Sequence, residues 1–286
     1  MEGEYRLAAP AKLNLSLRVV GRRPDGFHEL EGVMVLLELA DELRLAPADG
    51  NPGLRVAPGG SGAPADQDHN LAWKGLVAGL GEVSHDVSLA LTKRVPVAAG
   101  LGGGSSDAAA AWRLGRRAAG LPDRPSDDEL TDLARIGADV PFFAAQAAVA
   151  QVSGIGERVA AMQLAPDTGH EVVLTLAPFG LSTAEVFAEL REDEWGSAGL
   201  AANDLLAPAR RLRPEIDELV RLVLAAGAEP RLSGSGPTLF ALLPDAARAD
   251  AVAGHLDRAG VSALRTRLRT EPASIETVAA SRKEPT

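Results

Sequence analysis

Between residues 7 and 20, Leu13, Leu15, Leu17 and Val19 alternate with Asn14, Ser16 and Arg18. A period of two predicts a half-buried strand, with Pro10 at or just before its start. Lys12, Asn14 and Ser16 then share one face, which reads either as a solvated polar face or as the wall of a site. Gly21-Arg22-Arg23-Pro24-Asp25-Gly26 has the composition of a turn. Phe27 and His28 follow it, ahead of a second apolar run over 33–39. A ring and an imidazole there suit edge packing or the recognition of a planar base, and the pattern alone favours packing. Further strands are predicted over 41–46, 87–93, 172–176 and 239–243. A hairpin is predicted over 148–159, turning at Gly154-Ile155-Gly156.

Helical patterns lie between these strands. Asn70 caps a helix that runs to about Leu80 and stops at Gly81. A second helix covers 105–119. Asp107 lies in its first turn, and Arg113, Arg116 and Arg117 lie towards its end, both favourable for the macrodipole; Gly120 closes it. Ser126 and Glu129 have capping-box spacing for a helix over 126–136, ended by Gly137. Another helix enters near Ser182 or Thr183, and another opens at Asn203-Asp204-Leu205-Leu206. The helix after Pro214 carries an apolar core stripe of Ile216, Leu219, Val220, Val223 and Leu224, with Gly227 as its cap. Asp245 caps a last helix to about Leu256. Residues 49–68 read as a loop or a loosely ordered hairpin, Asp167-Thr168-Gly169 as a turn, and the polar tail from about 271 as frayed. Asp139, between a helix stop and an apolar run, suits either a helix cap or a reactive carboxylate.

The length suits two modest domains or one large α/β unit, and the pattern changes over 161–169, where a first domain would give way to a second. The 286 residues, 46% of them hydrophobic, are enough for two cores. A net charge of -10 argues against general nucleic-acid or anionic-membrane binding. The absence of cysteine excludes disulfides, thiolate catalysis and Cys-ligated zinc. The five histidines show no metal-site spacing. Met1-Glu2-Gly3-Glu4 is not the start of a secretory signal, and no apolar run reaches membrane-spanning length. A cytoplasmic location is expected.

One stretch carries the chemistry. Gly100-Leu101-Gly102-Gly103-Gly104-Ser105-Ser106 follows a strand and opens a helix. Glycine lets a ligand approach the main chain, and the first turn of a helix offers unpaired N–H groups that suit phosphate. A plain flexible turn is the competing reading. No Lys-[Ser/Thr] follows in the P-loop position, and the spacing is not that of a dinucleotide fingerprint.

Three spaced motifs together resemble the GHMP small-molecule kinases: Pro10-Ala11-Lys12-Leu13-Asn14-Leu15, the run from Pro96 to Ser106, and Leu232-Ser233-Gly234-Ser235-Gly236-Pro237-Thr238. Three more segments are similar to the branch of that family whose acceptor is a cytidine-diphosphate-linked methylerythritol. They are Gly21 to Leu30, Gly137-Ala138-Asp139-Val140-Pro141, and Asn203-Asp204-Leu205. The resemblance spans about residues 9–243.

The resemblance implies an α+β fold of two domains, 1–163 like domain 2 of ribosomal protein S5 and 164–286 ferredoxin-like, with a site in the cleft between them. It implies ATP as donor and Mg²⁺ as its companion, with transfer to a tertiary 2-hydroxyl in the non-mevalonate isoprenoid route. No dedicated magnesium ligand emerges from the sequence; Asp107 is expected to cap its helix or to stand behind the metal's own ligands. Asp139 matches the family's catalytic Asp and Lys12 its catalytic Lys. A nearby carboxylate helps a poor nucleophile by accepting its proton, and a cation beside it offsets charge on the transferring group. The phosphates would rest on Pro96, Gly100, Leu101, Gly102, Gly103, Gly104, Ser105 and Ser106, with Asn70, Lys93 and Thr183 around the adenosine. The acceptor would meet Asn14, Asp139, Gly234, Ser235 and Gly236. Its cytosine would lie between Phe27 and Phe187 and bond to His28; the family commonly has Tyr at the place of Phe27. The expected partner is this small molecule, with no nucleic acid or membrane, and the chain a monomer or weak homodimer. Two alternatives are another GHMP kinase, acting on mevalonate, homoserine or a sugar, and a nucleotide sensor that transfers nothing.

Overall fold

The computed structural model describes residues 3–57, 66–81, 86–164, 170–196 and 203–278; the turn predicted at Asp167-Thr168-Gly169 lies outside them. Two long strands, β1 (Glu4–Arg22) and β2 (His28–Pro47), pair antiparallel and form the spine of the first sheet. The separate strands expected over 33–39 and 41–46 are one strand, because β2 continues through its polar residues beside β1. Pro10 lies inside β1, not at its start, at a register shift between Pro10 and Lys12. A strand tolerates proline where the ladder is already interrupted.

β3 (Gly53–Val56), β4 (Val87–Thr92), β5 (Val149–Gly154) and β6 (Arg158–Ala161) complete most of this sheet. β3 lies within the stretch read as a loop or loosely ordered hairpin. Its backbone pairs parallel with β4, which compensates for a sequence poor in strand-forming residues. The helices α1 (Leu71–Leu80), α2 (Gly103–Ala118), α3 (Asp127–Leu133) and α4 (Val140–Ala144) accompany it. Buried residues of β1, β2, β4, α1 and α2 share one apolar cluster, and those of β2, α2, α4 and β5 share another. Asn70 caps α1 and the Ser126–Glu129 box caps α3, both as expected.

The contact between α1 and α2 is made by backbone. A Cβ on Gly75 would stand 2.1 Å from the Ala108 carbonyl oxygen, and one on Gly79 would stand 2.2 Å from that of Trp112. Both clashes are with main chain, which cannot turn aside. Gly75→Ala is expected to destabilise the fold by about 1–3 kcal/mol, as overpacking does. A lowered urea midpoint with unchanged slope would show it.

The second sheet contains β7 (Glu171–Thr175), β8 (Arg231–Leu232), β9 (Leu239–Leu243) and β10 (Ala263–Arg267) in the order β10-β7-β9-β8. The helices α5 (Thr183–Glu189), α6 (Leu206–Leu212) and α7 (Glu215–Ala225) fall between β7 and β8, and α8 (Ala246–Arg258) falls between β9 and β10. Helices after the first and third strands, and the first strand beside the third, are the ferredoxin-like arrangement. With the first sheet this gives the expected two-part α+β fold. Leu224, expected in the core stripe of α7, is 55% exposed; Ile216, Leu219 and Val223 bury the helix without it.

The tail does not fray over its described length. β11 (Glu276–Val278) pairs antiparallel with Glu4, Tyr5 and Arg6, so β1's outer edge is covered. Chain from the second sheet therefore returns to the first. We propose a division near residue 163 that leaves 276–278 with the first unit.

Candidate active site

A cavity of about 640 Å³ opens where β1, the start of α2, the loop before α4, α5 and the loop 233–236 converge. On β1, Lys12 and Asn14 line it although each is only 3% exposed. Lys12 Nζ donates to Asn14 Oδ1 at 2.6 Å and stands 3.4 Å from Asp139 Oδ2. The polar face of β1 is thus the wall of a site. Ser16, on the same face, turns to the fold instead and accepts from the Val33 N–H.

Asp139 precedes α4 but makes no capping bond with its side chain. It keeps 28% of its side-chain surface and lines the cavity. The cap reading fails on that geometry, and a carboxylate beside an ammonium inside a cleft remains.

The glycine loop is tied to β1 by a backbone bond, Lys12 N–H to Leu101 O, at 3.0 Å. Gly102 is the residue before α2 and is left-handed, φ 69°. A Cβ there would press on the Lys12 stem and Phe143 at about 3.0 Å, so glycine satisfies both backbone and space. The N–H groups of Gly103, Gly104 and Ser105 begin the helix and have no acceptor within it. All three residues line the cavity, as do Pro96, Gly100, Leu101 and Gly102. Ser106 does not. Its N–H donates to Gly102 O at 2.9 Å, the first helical bond, and its buried side chain lies on the opposite side of the helix, beside Pro10 and Phe143. The phosphate role expected of Ser106 is corrected on those grounds: one helical turn aims residue 106 away from the cleft.

Asn70, Lys93 and Thr183 all reach the cavity wall. Lys93 Nζ bonds Asp107 Oδ2 at 2.6 Å and Asp41 Oδ2 at 2.5 Å. Asp41 is fully buried and its other oxygen accepts the N–H groups of Arg94 and Val95. Asp107 does not cap α2: its Oδ2 holds Lys93, and its Oδ1 is buried without a partner on a residue that lines the cavity. Burial pushes the Asp107 carboxyl up to about 8, opposed by the Lys93 ammonium beside it, with Asp41 adding to the rise. A carboxyl whose folded value lies above its ordinary 3.8 loses stabilising effect as pH rises between the two. Asp107→Asn removes that titration. The variant is expected to gain on the wild type by about 1 kcal/mol or more from pH 5.5 to pH 8, read from paired urea midpoints. A constant difference would contradict it. Asp41 is a site residue that sequence reasoning misses, since a lone Asp in a predicted strand carries no signal of this contact.

The far end of the cleft differs from expectation. Phe187 lines the cavity, but its ring stacks on His28 at 5.2 Å. Trp195 meets His28 edge-on at 5.9 Å. Phe27 is 59% exposed at the hairpin tip and, like His28, does not line the cavity. Phe187 thus stacks on His28, while Phe27, adjoining the turn, makes no ring contact among the described residues. Burial, with Arg22 nearby, holds the His28 imidazole below its ordinary value, so the ring is neutral at pH 7. Gly234 and Ser235 line the cavity; Gly236 does not. Instead its N–H closes the loop on Ser233 O.

Comparison with known proteins fits this arrangement. The family model for the GHMP kinases N terminal domain matches residues 70–147, and that for GHMP kinases C terminal matches 186–262. The chain is 38% identical over 275 residues to the 4-diphosphocytidyl-2-C-methyl-D-erythritol kinase of Geobacter sp. (strain M21), covering 89% of this chain and 95% of that relative. The chain belongs to this kinase family. The Pelotomaculum thermopropionicum kinase of the same name is 37% identical, over 91% of this chain and 96% of its own. A crystal structure titled 4-(cytidine 5'-diphospho)-2C-methyl-D-erythritol kinase superposes with a TM-score of 0.73 at 32% identity, over 92% of this chain and 98% of that one. The homoserine kinase of Cytophaga hutchinsonii shares the fold, with a TM-score of 0.67 at 16% identity. Among the described residues no helix of this kinase is long and apolar enough to cross a membrane.

Proposed function

We propose that the chain transfers the γ-phosphoryl group of ATP to the 2-hydroxyl of 4-diphosphocytidyl-2-C-methyl-D-erythritol, giving the 2-phosphate and ADP in the non-mevalonate isoprenoid route. The observation that carries the reading is the Lys12–Asp139 pair, 3.4 Å apart, in the same cavity as the free N–H groups of α2 and with the Lys12 stem beside Gly102. Donated N–H groups at a helix start hold phosphate, and the pair supplies what the acceptor end lacks.

Asp139 accepts the proton of the tertiary hydroxyl as the oxygen attacks phosphorus. Lys12 faces the charge that gathers on the transferring group, and Asn14 fixes the ammonium by its 2.6 Å bond. Phosphoryl transfer gains mainly from such positioning and charge stabilisation. Lys93 donates hydrogen bonds to the Asp41 and Asp107 carboxyl oxygens and keeps a third N–H for the nucleotide. Neutral His28 offers either a donor or an acceptor to the cytosine edge. Phe187 offers a face.

Magnesium fits the donor set modestly. No group of three or more His, Cys, Asp or Glu is gathered among the described residues. A nucleotide-borne magnesium takes most of its oxygens from phosphate and water and needs only one or two from protein, which Ser105 and the unpartnered Asp107 Oδ1 would provide from the cavity wall. Bound, the ion neutralises charge on the phosphates.

The pose is tested by a crystal structure with a non-hydrolysable ATP analogue and the acceptor. The expected result has the 2-hydroxyl within hydrogen-bond reach of Asp139 and cytosine against Phe187. An acceptor hydroxyl distant from Asp139 overturns the assignment.

A further inference from the structure

Asn203 lies outside the cavity wall, yet its amide grips the loop that forms part of it. Asn203 Nδ2 donates to Leu232 O at 2.9 Å and to Gly234 O at 2.7 Å, and Asn203 Oδ1 accepts the Leu205 N–H at 3.0 Å. All three bonds are specific to a primary amide: two donors on one end and an acceptor on the other. The next residue anchors the grip to β1. The Asp204 N–H donates to Leu17 O at 2.9 Å, and Asp204 Oδ2 accepts the N–H groups of Val19 and Gly196 at 2.7 and 2.8 Å. On its other side the loop leans on the first glycine loop, where Ser233 Oγ donates to Gly100 O at 2.9 Å. Asn203 therefore joins the strand that carries Lys12 to the loop that faces it.

That grip decides which way one peptide points. The Gly234–Ser235 peptide is trans, so its N–H is antiparallel to its C=O. Asn203 pulls the carbonyl away from the cavity, and the Ser235 N–H is turned towards it. Among the described residues nothing accepts that N–H. Gly234 is left-handed, φ 56°, and the position a Cβ would take there is 3.1 Å from Lys12 Nζ. The peptide that bears this N–H thus adjoins the Lys12 ammonium on the cavity wall.

We infer that Asn203 is a positioning residue: by holding Gly234 O it presents the Ser235 N–H to an oxygen of the phosphoryl acceptor. The inference rests on the function proposed above. Its chemistry is selective. Asn203→Asp keeps the shape but replaces a donor by a carboxylate oxygen that faces two carbonyl oxygens, so the loop must let go.

The test compares Asn203→Asp with the wild type in steady-state kinetics. The expected result is a loss of about 100-fold in kcat/KM for the acceptor, with a raised acceptor KM, while the KM for ATP stays within about threefold. Unchanged acceptor constants overturn the inference, and so does an equal loss for both substrates. If the variant does not fold, the wild type decides. In ¹⁵N-resolved NMR the Ser235 amide resonance shifts with acceptor and not with ADP; a resonance unmoved at saturating acceptor overturns the inference. Should the wild type turn over mevalonate or homoserine instead of the cytidyl compound, the proposed acceptor is wrong. The same titration with the accepted alcohol still decides the role of Asn203.

Discussion

Asp139→Asn is expected to lower kcat by about 10³-fold, within the range a positioned general base supplies, while leaving ATP binding close to the wild-type value. The carboxylate stands 3.4 Å from Lys12 Nζ, lines the cavity and makes no bond that caps α4. Its replacement by the isosteric amide removes the proton acceptor and keeps the volume. Because the partly exposed side chain caps nothing, the fold has little to lose. Stability should change by no more than a surface substitution does, about 0.5 kcal/mol. Stopped-flow or coupled-assay kinetics, with calorimetry for ATP, separate the two effects. Undiminished turnover removes Asp139 from the mechanism. Lost ATP binding would make it a nucleotide ligand instead.

Lys12→Met is expected to lower kcat by about 10²–10³-fold, the loss typical when one charge-stabilising donor is removed from a closed site. Methionine keeps most of the stem, which packs against Gly102, and so spares the glycine loop. The substitution does strand Asn14 Oδ1, which receives the ammonium at 2.6 Å in a site only 3% exposed. A buried acceptor left unmet costs about 1–3 kcal/mol, so this variant, unlike Asp139→Asn, should also melt earlier. The double variant Lys12→Met/Asn14→Leu removes the stranded acceptor. It should recover stability but not kcat; recovery of both would make Lys12 structural.

Much of the framework was legible because local signals agreed with tertiary packing. The alternation from Leu13 to Val19 is β1, the Asn70 and Ser126 caps open α1 and α3, and the strand–glycine loop–helix order is β4, 93–102 and α2. Other features were hidden for physical reasons. Strand β3 depends on pairing with β4, and β11 on an open edge of β1; neither partner is adjacent in sequence. The site divides in the same way. Lys12, Asn14 and Asp139 were readable from motif resemblance and do meet in space. Asp41 was not readable: it joins Lys93 from 52 residues away, and a single Asp in a strand gives no sign of the contact. Ser106 belongs to the same motif as Ser105, but the motif does not show where the helix starts: the Ser106 N–H makes the first helical bond, and the two residues line different cavities. Phe27 is readable as a base-stacking ring from motif resemblance alone, and the turn leaves that ring 59% exposed.

The most direct test of the account is turnover by the purified chain with ATP and each of three acceptors: the cytidyl-diphosphate methylerythritol, mevalonate and homoserine. Phosphorus NMR follows the product. The account predicts ADP release with the cytidyl compound alone, and a new phosphomonoester resonance beside an intact diphosphate. Turnover of mevalonate or homoserine without turnover of the cytidyl compound would contradict it.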